Sequence, residues 1–232
     1  MDQINVCITG VGGGIGRAVV ELLSQKTNVK VFAYSRNPEK LKPGFNEHPN
    51  VVLGRMDLNE IVSNAETINS LDLPNKIDIL INNAGFLNKK AFEQYASFEI
   101  QQIVNVNFTG TLLFTKACLP ALRNSNQAHV VNISSMGGVQ GSMKFPGLTV
   151  YAASKAAICG FTEVLAEEYK STGIHVNCIA LGAVETKMFN EAFPGQKAPQ
   201  KPDQTAKYIV DFALNQREYF NGKIIQLAAT TP

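Results

Sequence analysis

The sequence lacks the features that mark membrane, disulfide-rich and nucleic-acid-binding proteins. No apolar stretch reaches the roughly 18 uninterrupted residues of a transmembrane helix, so no membrane span is expected. The four cysteines form no Cys-x-x-Cys pair, which is typical of reduced, buried thiols, and no metal site is assigned. The 21 basic and 19 acidic residues are interspersed, so no basic surface for a nucleic acid is expected.

The amino terminus also lacks the pattern of a secretory signal. Residues 1–6 enter a strand pattern directly, without a basic start and a long apolar run. Together with the unpaired cysteines, this predicts a cytoplasmic protein. Hydrophobic residues make up 45% of the chain and charged residues 17%, as in ordinary globular proteins, which excludes disorder.

Short runs rich in β-branched residues alternate with longer stretches that suit helices. The predicted strands are 4–8, 29–34, 51–53, 77–81, 128–133, 174–180 and 223–227. Several are almost continuously apolar, as expected for strands buried on both faces. The alternation predicts an α/β fold with a doubly wound parallel sheet, a three-layer Rossmann fold in a single domain spanning 1–232.

Two long helices and one irregular segment are predicted between these strands. Helix 97–119 should end at Pro120 and helix 149–171 at Gly173. In 188–204 three prolines interrupt the pattern, which indicates either a mobile loop over a site or a plain surface connection.

A glycine-rich turn follows the first predicted strand and opens an amphipathic helix. Its residues are Gly10, Gly14, Ile15 and Gly16. Glycines let the backbone approach a pyrophosphate, and the free amides at a helix start attract its negative charge. A tight structural turn is the alternative, but the position between strand and helix favours dinucleotide binding.

The second predicted strand ends at Ser35-Arg36, without a carboxylate. An acidic residue at this place would bond the 2′-hydroxyl of NAD, whereas a basic one accommodates the 2′-phosphate of NADP. The pattern therefore favours NADP over NAD, the alternative being that Arg36 is only a solvated charge.

Tyr151 and Lys155 are four residues apart and lie on one face of a predicted helix. A phenol has a pKa of about 10, and it can exchange protons near neutrality if a neighbouring cation stabilises the phenolate. Coincidence is common for such a pair. Here strand 128–133 also runs into Ser134-Ser135, which puts hydroxyls where open α/β sheets bind ligands.

Taken in order, these motifs resemble the short-chain dehydrogenase/reductase family, in its ordinary single-domain branch, over nearly the whole chain. They are Thr9-Gly10-x-x-x-Gly14-Ile15-Gly16, Asp57-Leu58, Asn82-Asn83-Ala84-Gly85, Asn107, Ser134-Ser135, Tyr151-x-x-x-Lys155, Asn177, and Gly182 followed by Thr186.

The resemblance implies a catalytic set of four residues. Ser135 matches the serine that hydrogen-bonds the substrate oxygen, and Tyr151 matches the acid/base. Lys155 matches the residue that lowers the tyrosine pKa and holds the nicotinamide ribose. Asn107 matches the residue that keeps a water in the proton relay, and Ser134 is expected to be structural.

The resemblance also assigns residues to the cofactor. Asp57 should bond the adenine, the Asn83-Ala84-Gly85 backbone should line the adenosine ribose, and Thr186 should meet the nicotinamide amide. Leu58 and Gly182 belong to the same motifs. Turn chemistry offers an alternative, since Asp57 could cap a turn and Asn83 could close a strand.

The chain departs from the family pattern at three places. Leu181 stands where the family commonly has proline. Ser135 and Tyr151 are 16 positions apart, a few more than usual, so the loop between them is expected to bulge towards the substrate. The chain is short in 188–204, where Met188, Phe189, Phe193 and Pro194 suggest an apolar wall or ordinary packing.

The resemblance implies an NAD(P)-dependent oxidoreductase that interconverts a secondary alcohol and a ketone on a small molecule. A non-catalytic sensor or scaffold of the same fold is the alternative. An extended-branch epimerase or dehydratase would need a larger substrate domain. A homodimer or homotetramer is also implied, packed through 97–119 and 149–171. Ketones, 3-oxoacyl thioesters, quinones and steroid-like alcohols all remain open as substrates.

Overall fold

The structure, a computed structural model, describes residues 3–229. One parallel sheet has the strand order β3-β2-β1-β4-β5-β6-β7. The strands are β1 (Ile4–Thr9), β2 (Val29–Ser35), β3 (Val51–Arg55), β4 (Ile79–Asn82), β5 (His129–Ser135), β6 (His175–Leu181) and β7 (Ile224–Leu227). The strand order reverses between β1 and β4, which places a ligand-binding crevice beyond their carboxyl ends. The predicted Rossmann fold is confirmed.

Helices cover both faces of the sheet. They are α1 (Gly14–Ser24), α2 (Lys42–Phe45), α3 (Leu58–Ser63), α4 (Ser97–Val104), α5 (Gly110–Arg123), α6 (Thr149–Glu168), α7 (Lys187–Ala192) and α8 (Pro202–Asn215). Short 3-10 turns lie at Pro38–Lys40, Ala65–Ser70, Phe92–Gln94, Met136–Gly138, Lys170–Thr172 and Arg217–Tyr219. Within the described part of the chain, no helix is long and apolar enough to span a bilayer.

Successive residues of β1 point into opposite helical layers. Val6 and Ile8 pack in one core with α1 and α8, whereas Cys7 packs in the other with Phe114 of α5. Both faces of the central strands are therefore buried, which is why their sequences are apolar at nearly every position. Cys7, Cys118 and Cys178 are buried, and all four cysteines are free thiols.

The predicted helix 97–119 is in fact interrupted and longer. A π-helical turn at Asn105–Thr109 separates α4 from α5, and α5 continues past Pro120 to Arg123. Proline is tolerated there because it lies in the last turn, where one backbone hydrogen bond is lost near a helix end. The other predicted helix ends as expected, through a 3-10 turn and Gly173, whose φ is 77°.

The interpretation of 188–204 as a continuous irregular segment is wrong at both ends. Helix α7 begins after Thr186, whose hydroxyl accepts the N–H of Phe189 at 3.2 Å and caps the helix. Helix α8 begins at Pro202, a favourable first helical residue because its missing N–H would have no partner there. Only the part between the two helices is irregular.

Candidate active site

A cleft of about 1140 Å³ follows the carboxyl edge of the sheet. Sites for one small molecule commonly enclose about 300–1,000 Å³, so this cleft has room for a cofactor and a substrate together. All the predicted catalytic and cofactor residues except Asn107 line it. The topology thus brings together motifs that are far apart in the sequence.

The glycine turn is held against the end of β4. Gly10 has a φ of 74°, and a Cβ at this position would lie 2.6 Å from the Cα of Ala84. The Thr9 hydroxyl accepts the backbone N–H of Asn83 at 3.1 Å and of Ala84 at 3.0 Å. The Asn83 amide in turn donates to the carbonyls of Thr9 and Gly10. These bonds form one rigid wall of the cleft.

The adenosine end of the cleft carries an unsatisfied donor and a free cation. Ser35 is 7% exposed, and within residues 3–229 its hydroxyl has no hydrogen-bond partner. Arg36 is exposed, and no described carboxylate pairs with it. Lys40 lines the same part of the cleft, although sequence reasoning did not single it out. These groups fit a phosphate on the adenosine ribose.

Asp57 and Leu58 lie at the start of α3. The Asp57 carboxylate accepts the N–H of Asn59 at 2.9 Å, so it caps this helix while also lining the cleft. Leu58 is buried beside Gly110. The capping role, foreseen as the alternative for Asp57, is present, and adenine binding stays a prediction.

Ser134 and Ser135 end β5 and have different surroundings. The Ser134 hydroxyl donates to the carbonyl of Lys155 at 2.8 Å and so ties β5 to α6. The Ser135 hydroxyl accepts the N–H of Gly137 at 3.2 Å and lines the cleft. Ser134 also lines the cleft, but its hydroxyl proton is already donated to Lys155, so Ser135 is the better placed of the two to donate to a substrate.

Tyr151 and Lys155 lie on the cleft side of α6. Burial raises the pKa of Tyr151 to about 12, although the nearby Ser135 hydroxyl lowers it. The Lys155 ammonium lies 5.9 Å from the centre of the Tyr151 ring and donates to the carbonyl of Ile133 at 3.0 Å. Burial lowers the pKa of Lys155 to about 8. The expected lowering of the Tyr151 pKa by Lys155 stays a prediction.

Asn107 lies behind the cleft, in the π-helical turn. Its Oδ1 accepts the N–H of Phe86 at 2.7 Å, and its Nδ2 donates to the Phe86 carbonyl and to the Ser154 hydroxyl. Ser154 donates in turn to the carbonyl of Tyr151 at 2.7 Å. Asn107 thus braces the segment after β4 against α6.

Two residues of β6 belong to the family comparison: Leu181, which departs from the family pattern, and Asn177, which matches it. Leu181 is the buried last residue of β6, paired with Ser135 and Leu227, so sheet pairing holds the backbone where the family commonly has proline. The next N–H, of Gly182, also donates to Leu227. Asn177 lies near the opposite end of β6, buried against the 220–223 segment, outside the cleft.

The cleft also contains residues that sequence reasoning missed. Phe145 and Leu148, in the loop between Ser135 and Tyr151, both line it. The long spacing between the two catalytic candidates was the available signal. It could not say which side chains of the loop face inwards.

Comparisons with known proteins agree with this geometry. A family model described as short chain dehydrogenase matches residues 4–197. An uncharacterized oxidoreductase of Staphylococcus aureus (strain MRSA252) is 31% identical over 229 residues, covering 95% of this chain and 94% of that protein. The 3-oxoacyl-[acyl-carrier-protein] reductase FabG of Thermotoga maritima is 30% identical over 240 residues, with the same coverage.

Solved structures are similar over nearly the whole chain. A structure described as ElxO with NADP bound has a TM-score of 0.79 at 25% identity and covers 97% of both chains. A 3-oxoacyl-[acyl-carrier protein] reductase from Brucella melitensis has a TM-score of 0.83 at 25% identity, covering 98% of this chain and 90% of that one.

The buried ammonium of Lys155 gives a testable cost in stability. Its pKa falls from 10.5 unfolded to about 8 folded, so burying the charge opposes folding by up to about 3 kcal/mol below pH 8. We expect Lys155→Met to raise the melting temperature at pH 7. The difference from the wild type should shrink as pH rises from 8 to 10.5, because the folded wild type then releases its proton. A lower melting temperature for the variant at pH 7 would contradict this.

Proposed function

Because the chain belongs to the short-chain dehydrogenase family, we propose that it is an NADP-dependent oxidoreductase that interconverts a secondary alcohol and a ketone. The observation that carries the proposal is the common position of Ser135, Tyr151 and Lys155 in one cleft with the glycine turn. Membership in the family supports oxidoreductase chemistry in general. The alcohol/ketone pair is the reaction that these three side chains suit best.

Tyr151 and Ser135 have different roles at the substrate oxygen. When bound, the nicotinamide supplies the hydride in reduction and accepts it in oxidation. A phenol is protonated near neutrality, and burial favours this neutral form of Tyr151, so it can donate a proton to the carbonyl oxygen during reduction. The Ser135 hydroxyl donates a hydrogen bond to the same oxygen and stabilises its developing charge.

Lys155 acts on the phenolate that forms when Tyr151 loses its proton. In a buried site, an ammonium 5.9 Å from the centre of the phenol ring favours the phenolate, which makes proton return and the oxidation direction possible. The same ammonium is the group expected to hold the nicotinamide ribose. Asn107 and Ser154 orient Tyr151 through its backbone, and the role of Asn107 in holding a water stays a prediction.

The cofactor proposal is NADP, with NAD as the alternative. The unsatisfied Ser35 hydroxyl and the guanidinium of Arg36 would bind the 2′-phosphate, and Lys40 would add a second cation. Gly10, Gly14, Ile15 and Gly16 would approach the pyrophosphate. Asp57, Leu58, the 83–85 backbone, Gly182 and Thr186 would contact the rest of the cofactor. The NADP-bound ElxO structure supports this choice.

Tyr151→Phe tests the assignment of the proton donor. We expect kcat for ketone reduction to fall by about 10²- to 10⁴-fold, while NADPH binding stays within about twofold, because only proton transfer is removed. Tyr208→Phe, on α8, is the matched control. A Tyr151→Phe enzyme with ordinary turnover would refute the mechanism, whereas wild-type turnover of any carbonyl compound excludes the non-catalytic alternative.

Arg36→Gln tests the choice of cofactor by fluorescence titration. We expect the Kd for NADPH to rise roughly tenfold or more, since a charge-assisted hydrogen bond is lost, and the Kd for NADH to change little. Arg17→Gln is the control, because Arg17 binds Glu21 on the surface of α1. A wild-type preference for NADH would overturn the assignment.

Assembly into a homodimer or homotetramer is also a proposal. Val164 on α6 is 68% exposed although it is apolar, which suits contact with a second copy. We expect Val164→Asp to lower the mass measured by light scattering, and Tyr219→Asp to leave it unchanged. A monomeric wild type would refute the proposal.

A further inference from the structure

We propose that Phe145, Phe189 and Phe193 form an aromatic wall in the cleft that selects a free carbonyl compound bearing an aromatic ring. This inference rests on the proposed ketone reduction and gives its substrate class. Each of the three side chains lines the same cleft as Tyr151.

The aromatic wall is built from two segments that are distant in the sequence. Phe145 belongs to the loop between β5 and α6, whereas Phe189 lies in α7 and Phe193 directly follows it. The rings of Phe145 and Phe193 meet edge to face with centroids 5.7 Å apart, and those of Phe189 and Phe193 are 5.2 Å apart. These are favourable aromatic geometries, so the rings hold the two segments together.

The segment after β4 supports the wall from a third side. The Lys89 ammonium lies 4.2 Å from the centre of the Phe193 ring, a cation–π contact. The next residue, Lys90, donates its N–H to the carbonyl of Gly147, two residues beyond Phe145. The three segments that follow the central strands therefore meet at the wall.

Two of the cations nearest the wall are already engaged. Lys144 donates to the carbonyls of Gly137 and Val139 and to the Ser142 hydroxyl, which folds the loop onto itself. Lys89 faces the Phe193 ring. Glu191, on the α7 side, is paired with Lys187 at 3.6 Å. Lys197, four residues after Phe193, also lines the cleft and has no ion pair among the described residues, so the inference rests on the ring faces and edges of the wall and not on an absence of charge.

This chemistry distinguishes an aromatic substrate from an aliphatic one. An acyl chain would gain only apolar burial from these side chains, as it would from leucines. An aromatic ring gains an additional edge or offset-stacking interaction, worth roughly a two- to tenfold preference. The Phe145–Phe193 contact also joins the two segments on this side of the cleft, which favours a free small molecule over a group carried by a second protein.

The test compares three methyl ketones of equal carbon number with NADPH: acetophenone, cyclohexyl methyl ketone and 2-octanone. We expect kcat/KM to be highest for acetophenone. Phe193→Leu keeps the apolar bulk but removes the ring, so it should reduce the preference for acetophenone over cyclohexyl methyl ketone roughly two- to tenfold, mainly through KM. Phe145→Leu should act in the same direction.

Met143→Ala is the matched control, because Met143 lies in the same loop with an exposed side chain outside the cleft, and its preference should equal that of the wild type. If 2-octanone is preferred, or if Phe193→Leu leaves the ratio unchanged, the aromatic wall does not select rings. Reduction of a 3-oxoacyl thioester in preference to all three ketones overturns the inference but leaves the proposed oxidoreductase function intact. Bound NADPH without turnover of any of these carbonyl compounds would defeat both.

Discussion

The hydrogen bonds between the end of β1 and the end of β4 hold the cleft together. The Thr9 hydroxyl accepts two successive backbone N–H groups of the Asn83-Ala84 segment, and the Asn83 amide returns two bonds to the glycine turn. The strand order reverses between these two strands, so the segments that follow them lead to different sides of the sheet, and these bonds join the two segments where they begin. Gly10 is required because any Cβ there would collide with Ala84.

The side of the cleft that carries Tyr151 and Lys155 is held by a different set of contacts, around the buried ammonium of Lys155. Ser134 fixes α6 to β5 through the carbonyl of Lys155, and Asn107 braces Ser154, whose hydroxyl bonds the carbonyl of Tyr151. A buried ammonium opposes folding, yet a charge near the phenol is what the proposed proton transfer needs. Stability and chemistry therefore make opposite demands on Lys155.

The residues proposed to select the substrate lie in a different kind of segment from those proposed to bind the cofactor and transfer the proton. The glycine turn and Ser135 lie directly at strand ends, and Tyr151 and Lys155 lie on the long helix α6, so regular backbone hydrogen bonds leave these residues little freedom. Phe145 and Phe193 lie in longer connections, where side-chain contacts decide the shape. Such segments can change their side chains without disturbing the sheet, so the substrate class can vary while the reaction is retained.

The amino-acid sequence by itself determined the sheet, the approximate strand positions and the glycine-turn, serine, tyrosine and lysine residues of the cleft, because apolar periodicity and the ordered motifs depend on local patterns. It did not predict that α5 continues past Pro120 or that α7 covers the start of 188–204, since tertiary packing and side-chain caps outweigh the local signals of proline. Only the tertiary structure decided that Asp57 caps α3, that the Asn107 amide bonds Phe86, and that Phe145 meets Phe193. These features depend on the folded arrangement of the segments, which the spacing of residues along the sequence does not predict.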